Sequence, residues 1–210
     1  GADELIYIDC VASLYGQNNL AELTVKSTKD IFIPFCVGGG IRSMTDAQSL
    51  FNNGADKISI NTAAIKNKEL LKSLSTKFGS QSIVLSVEAK KIAQNTWKVY
   101  KNFGRDETDV DVLDWIKEAS TCGIGEILLT SIEAEGLGSG FDIDLYKKCE
   151  KLVKVPIIAC GGFGKLEHIK ELKNQTNIDA VAISQALHYD RLTIGEIKEF
   201  CLKNDISVRR

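Results

Sequence analysis

Short apolar runs alternate with amphipathic stretches along the whole chain. The runs at 4–9, 33–37, 57–60, 82–90, 126–130, 156–159 and 180–184 read as strands. They are nearly continuous in apolar character, as expected where both faces of a strand are buried in a parallel sheet. The stretches at 18–29, 44–53, 67–77, 110–121, 143–153, 166–173 and 194–203 carry helical spacing, and residues 96–101 form a hairpin-like excursion. Strict strand–helix alternation places the chain in the α/β class, with a doubly wound sheet and a barrel as the two options.

The pattern repeats at long range. Pro34 and Pro156 stand 122 positions apart, as do Gly39 and Gly161, each in a strand–glycine turn–helix context. Residues 1–8 resemble 123–130 at the same offset, and 55–60 resemble 178–183 at an offset of 123. This period is too long for a solenoid and suits two half-barrels. The expectation is a (β/α)8 TIM barrel, a single domain over 1–210, with seven strands present. The counterpart of the strand at 82–90 would lie roughly 40 residues ahead of Gly1, so one βα unit is expected to be missing from the N-terminus. Adding it gives about 250 residues, the usual size of such a barrel. Open edges promote pairing with other chains, so the isolated piece is expected to self-associate.

Composition narrows the function classes. Lys plus Arg is 26 and Asp plus Glu is 28, a net charge of −2 with no basic stripe for nucleic acid. No apolar run is long enough to span a membrane, and no signal peptide is evident. The six scattered cysteines favour reduced thiols in a cytoplasmic protein, and two histidines argue against a histidine-rich metal centre. No metal or cofactor is expected.

In barrels the working face lies at the C-terminal strand ends. Those positions are Asp9, Cys36, Asn61, Thr62, Glu88, Thr130, Glu133, Glu135, Cys160 and Ser184. Carboxylates from separate strands (Asp9, Glu88, and Glu133 or Glu135) could converge on one substrate and divide acid and base roles. The two glycine turns offer bare backbone N–H groups for phosphate. One candidate site uses Gly40 with Asn61 and Thr62. The other uses Gly136, Gly161, Gly162 and the turn after Ser184. A ligand phosphorylated at both ends would bridge them. Glu4, Lys57 and Glu126 start their strands at the opposite end, either as solvated strand starts or as a charged plug over a central channel.

The runs 3–9, 37–42, 54–64, 78–81, 125–131 and 159–164 resemble the cyclase subunit of imidazole glycerol phosphate synthase, a histidine-biosynthesis enzyme. The sister isomerase fits less well over 59–64 and 125–131. The resemblance implies a lyase that takes ammonia from a glutaminase partner in a heterodimer. The ammonia adds to a bisphosphorylated ribulosyl-formimino-carboxamide nucleotide, releasing imidazole glycerol phosphate and aminoimidazole carboxamide ribotide. It implies that Glu4, Lys57 and Glu126 form an ammonia gate, that Asp56 faces the glutaminase, and that Glu88 and Glu135 occupy catalytic positions.

Several positions depart from the family pattern. The strand with the family's first catalytic aspartate is expected to lie in the unit missing ahead of Gly1. An Asp-Ala-Lys run becomes Glu88-Ala89-Lys90, glutamates replace aspartates in the 131–136 loop, and Cys160 replaces a common serine. If the displaced carboxylate is the only defect, Glu88→Asp should raise activity. These changes also resemble a divergent branch that delivers ammonia for amidation of surface-sugar precursors. An inactive fragment is the third reading.

Overall fold

The computed structural model describes residues 1–10 and 20–209. Its elements run β1 (Leu5–Ile8), α1 (Leu20–Ser27), β2 (Phe35–Gly38), α2 (Met44–Asn52), β3 (Lys57–Ile60), α3 (Thr62–Lys66), α4 (Lys68–Phe78) and β4 (Ile83–Ala93). They continue β5 (Thr96–Lys101), β6 (Asp106–Asp111), α5 (Val112–Ser120), β7 (Glu126–Ser131), α6 (Ile143–Cys149), β8 (Ile157–Cys160), α7 (Glu167–Gln175), β9 (Ala180–Ala182), α8 (Gln185–His188) and α9 (Ile194–Lys203). Residues 18 and 19 of the expected first helix lie outside the described residues.

Seven strands pair in parallel in the order β1-β2-β3-β4-β7-β8-β9, while β5 and β6 form an antiparallel ribbon on the extended end of β4. This is the α/β, TIM-barrel-like arrangement that the alternation predicts. The ribbon corrects one expectation. Residues 110 and 111 end β6, and the helix expected from 110 begins at Val112, where Asp111 caps it by accepting from Leu113 N and Asp114 N. A strand this polar, 106–111, carries no apolar run for the eye to find.

Both sheet faces are buried, in two separate clusters. Phe35, Val37, Ile58, Ile60, Ile83, Leu85, Ile127, Leu129 and Ile157 pack under the helices. Cys36, Val84, Leu128 and Ile158 pack with Ile6, Cys160 and Ala182 on the other face. Since neighbouring side chains on a strand point to opposite faces, this second cluster is the barrel interior.

The two halves repeat in atomic detail. Asp56 Oδ2 accepts from Phe35 N at 2.8 Å, and Asp179 Oδ2 accepts from Ile157 N at 3.1 Å. Gly39 (φ 97°) and Gly161 (φ 89°) both adopt left-handed backbone. A Cβ on Gly39 would sit 2.3 Å from Asp9 O, and one on Gly161 would sit 2.6 Å from Ser131 O. In each half, the glycine turn is thus forced by the close approach of the preceding strand's exit.

Candidate active site

Because the strands are parallel, both glycine turns emerge at the same edge of the sheet, after β2 and β8. On the first half a cavity of about 470 Å³ opens there. Its lining includes Asp9, Gly39, Gly40, Asn61, Thr62 and Glu88. Five candidate positions from four strand ends therefore meet around one space: Asp9, Gly40, Asn61, Thr62 and Glu88. The second glycine turn, with Thr130, Glu135, Gly136 and Ser184, does not line this cavity.

Glu88 lies where β4 passes the cavity, 9 % exposed. Its Oε2 accepts from Asn61 Nδ2 at 2.7 Å and from Gly104 N at 2.8 Å. Burial pushes its carboxyl up to about 7, against the two hydrogen bonds, with the Glu135 charge adding to the rise. Across the neighbouring strands Glu88 pairs with Thr130, and Thr130 pairs with Cys160. Glu135 is exposed at the rim, and desolvation raises its carboxyl too. Its charge pushes up the Cys10 and Cys160 thiols as well as Glu88, behind burial in each case. One carboxylate therefore stands within electrostatic reach of the ends of β1, β4 and β8.

The second glycine turn is packed against the 131–141 loop. Gly140 N donates to Gly162 O at 2.8 Å, and a Cβ on Gly162 would lie 1.9 Å from Gly140 O. The Gln185 amide, just after Ser184, donates to Gly136 O. Gly136, Gly161, Gly162 and the turn after Ser184 are thus one assembled surface.

At the opposite end, Lys57 Nζ lies 2.8 Å from Glu4 Oε2 and 2.6 Å from Glu126 Oε1. Burial pulls the ammonium down, but the bonds and charges of Glu126 and Glu4 outweigh it and leave the pKa raised. The three strand starts are therefore an ion-paired cluster below the apolar interior, with the Glu4 side chain still 40 % exposed. Cys36 sits in that interior, its thiol pushed up to about 12, chiefly by burial. Asp56, exposed at the same end, spends Oδ2 on the Phe35 amide.

Residues 1–193 match the profile of the histidine biosynthesis protein family. The chain belongs to that family. It is 53 % identical over 167 residues to the imidazole glycerol phosphate synthase subunit HisF of Legionella pneumophila, covering 80 % of this chain and 79 % of that protein. It is 41 % identical over 209 residues to the HisF subunit of Bacillus cereus (strain Q1), covering 100 % and 83 %. The HisF subunit of Hydrogenobaculum sp. (strain Y04AAS1) is also 41 % identical, over 208 residues, covering 99 % and 82 %. Membership makes the chain a biosynthetic enzyme of the cyclase type, and none of these relatives favours the surface-sugar reading. Among the described residues no helix is long and apolar enough to cross a membrane.

The sequence reading missed Ser59, Ser86, Asn102, Phe103 and Gly104. The two serines face the cavity between apolar neighbours on β3 and β4. The period-2 alternation on those strands was their available signal. Residues 102–104 reach the site from the ribbon, and no local pattern announces that.

Proposed function

We propose that this chain is the cyclase subunit of imidazole glycerol phosphate synthase. In this reading it combines ammonia from a glutaminase partner with a bisphosphorylated ribulosyl-formimino-carboxamide nucleotide. The observation that carries the reading is Glu88: a buried carboxyl, held by two donors, with a pKa of about 7 at the edge of the cavity. Such a group gives and takes a proton with equal ease at neutral pH, which ring closure and fragmentation require. Both donors fall on Oε2, so Oε1 is the oxygen left to exchange a proton with the substrate.

The remaining parts have matching roles. The turn at Gly40 with Thr62 takes one phosphate, and Gly136, Gly161, Gly162 and Ser184 take the other, mainly through backbone N–H groups. Asp9, Thr130 and Glu135 border the reacting carbons. Ammonia enters past Glu4, Lys57 and Glu126 and crosses the interior beside Cys36. The glutaminase docks on that end, over the exposed Asp56.

The test is turnover of the bisphosphorylated nucleotide with ammonium salt as nitrogen donor. Glu88→Gln is expected to lower kcat by about 100-fold or more. Undiminished turnover in that variant would remove Glu88 from the chemistry. A parent protein that activates a glutaminase yet never consumes the nucleotide would remove the cyclase reading itself.

A further inference from the structure

The β5–β6 ribbon lies off the path of the parallel strands: β5 pairs with β4 and β6, and β6 pairs with β5. Its tip nevertheless lands on the site. Asn102, Phe103 and Gly104 have φ of 51°, 62° and 70°, three successive left-handed residues. Two of them are not glycine, and a phenylalanine rarely adopts this conformation. Backbone held this way tends to mark a functional constraint.

What the turn achieves is contact. Gly104 N–H reaches Glu88 Oε2 at 2.8 Å, and Asn102 N–H reaches Thr62 Oγ1 at 3.0 Å. From the barrel side, Asn61 Nδ2 bonds both Glu88 Oε2 at 2.7 Å and Tyr100 O of β5 at 3.2 Å. Asn102 and Phe103 complete the cavity lining. The Asn61 amide hydrogens are thus spent on the carboxylate and the ribbon, so its side chain has no donor left for a phosphate.

We infer that the ribbon tip is a positioning element for Glu88: Gly104 N–H and the Asn61 amide clamp one carboxylate oxygen, and the Asn102–Thr62 bond pins the tip above it. Gly104 and Asn61 act through Glu88 and are positioning residues. This inference rests on the cyclase reading for its kinetic consequence but not for its structural one. The Gly104 bond favours the charged carboxylate, opposing burial and Glu135. Losing it should therefore raise the midpoint at which Glu88 titrates.

The experiment compares Gly104→Pro, which has no N–H and cannot hold this φ, with Gly104→Asn. Asparagine keeps the N–H and tolerates left-handed backbone, and its Cβ would lie nearest the Ile132 side chain, with Cδ1 at 3.3 Å. Glu88 is titrated by NMR in ligand-free protein with labelled glutamate carboxyls, assigned by loss of its signal in Glu88→Gln. Gly104→Pro is expected to raise the midpoint by about one pH unit, the size of one hydrogen bond to a charged group. It should lower kcat about tenfold or more. Gly104→Asn should leave both near the parent. If the proline chain does not fold, Thr62→Val removes the acceptor that pins the tip and should raise the midpoint in the same sense. An unchanged midpoint in the folded donor-free or unpinned variant overturns the inference. Equal shifts in the proline and asparagine variants also overturn it. If the midpoints move as expected while the parent never turns over the nucleotide, the clamp stands and the cyclase reading fails. If Glu88→Gln abolishes turnover while Gly104→Pro leaves the midpoint alone, the reverse holds.

Discussion

Glu88 is the residue whose behaviour is most fully determined by its surroundings. Its carboxyl titrates at about 7 where an unfolded chain titrates at 4.5. Between those values the native state holds a proton that the unfolded state has lost. Stability is therefore greatest below the unfolded value, falls as pH rises toward 7, and then levels off. The full difference amounts to about 3 kcal/mol. Glu88→Gln should flatten this slope, so its unfolding free energy relative to the parent should improve between pH 5 and pH 8. Denaturant unfolding at the two pH values checks it. The pH profile of kcat/KM, which reports the free enzyme, should also carry a midpoint near 7. The clamp reverses one expectation drawn from the sequence. Glutamate spans the distance to both Asn61 and Gly104. Aspartate would fall short by on the order of 1 Å, so Glu88→Asp is expected to lower ammonium-dependent turnover about tenfold or more instead of raising it.

At the scale of elements, the repeat makes paired predictions. Asp56 ties the start of β3 to β2, and Asp179 ties the start of β9 to β8. Alanine at either should cost about 1–2 kcal/mol in denaturant unfolding, because a strand amide loses its acceptor. The two effects should be similar in size. The glycine turns behave alike too. Gly39→Ala and Gly161→Ala place a Cβ against backbone oxygen at a left-handed φ, so each should destabilise the fold by more than an exposed glycine would. Strand positions were legible in the sequence because burial on both faces leaves continuous apolar runs. The strand Lys57–Ile60 falls where the pattern places it, and so does the helix Ile194–Lys203. The ribbon was half legible: β5 carries Trp97 and Val99 inward, whereas β6 is a row of acidic and polar residues held by its neighbour. The helix expected over 143–153 stops at Cys149, the residues beyond it forming turns that lead into β8.

For the whole molecule, the proposed function assigns different work to the two ends of the barrel. Lys57→Met removes the cation between Glu4 and Glu126. In the proposed complex it should depress glutamine-dependent turnover more than ammonium-dependent turnover, since only the former needs passage through that end. Equal loss in both assays would assign the cluster to stability alone. Among the described residues β1 pairs only with β2, and Leu5 and Tyr7 on it are 40 % and 41 % exposed. The 210-residue chain on its own is therefore expected to self-associate in sedimentation, and a monodisperse monomer would contradict that. The sequence by itself determined the alternation, the internal repeat and the identities at the strand ends. Each of these is written in local order: burial on both faces selects the residues of a strand, and a turn at positive φ selects glycine. Only the tertiary structure decided that Lys57 bridges two carboxylates. The same holds for the closure of the Gly104 amide on Glu88 and for the meeting of Asp9, Gly40, Asn61, Thr62 and Glu88 around one cavity. Those outcomes depend on distances between residues far apart in the chain, set by strand register and by the path of one ribbon, and no local pattern encodes them.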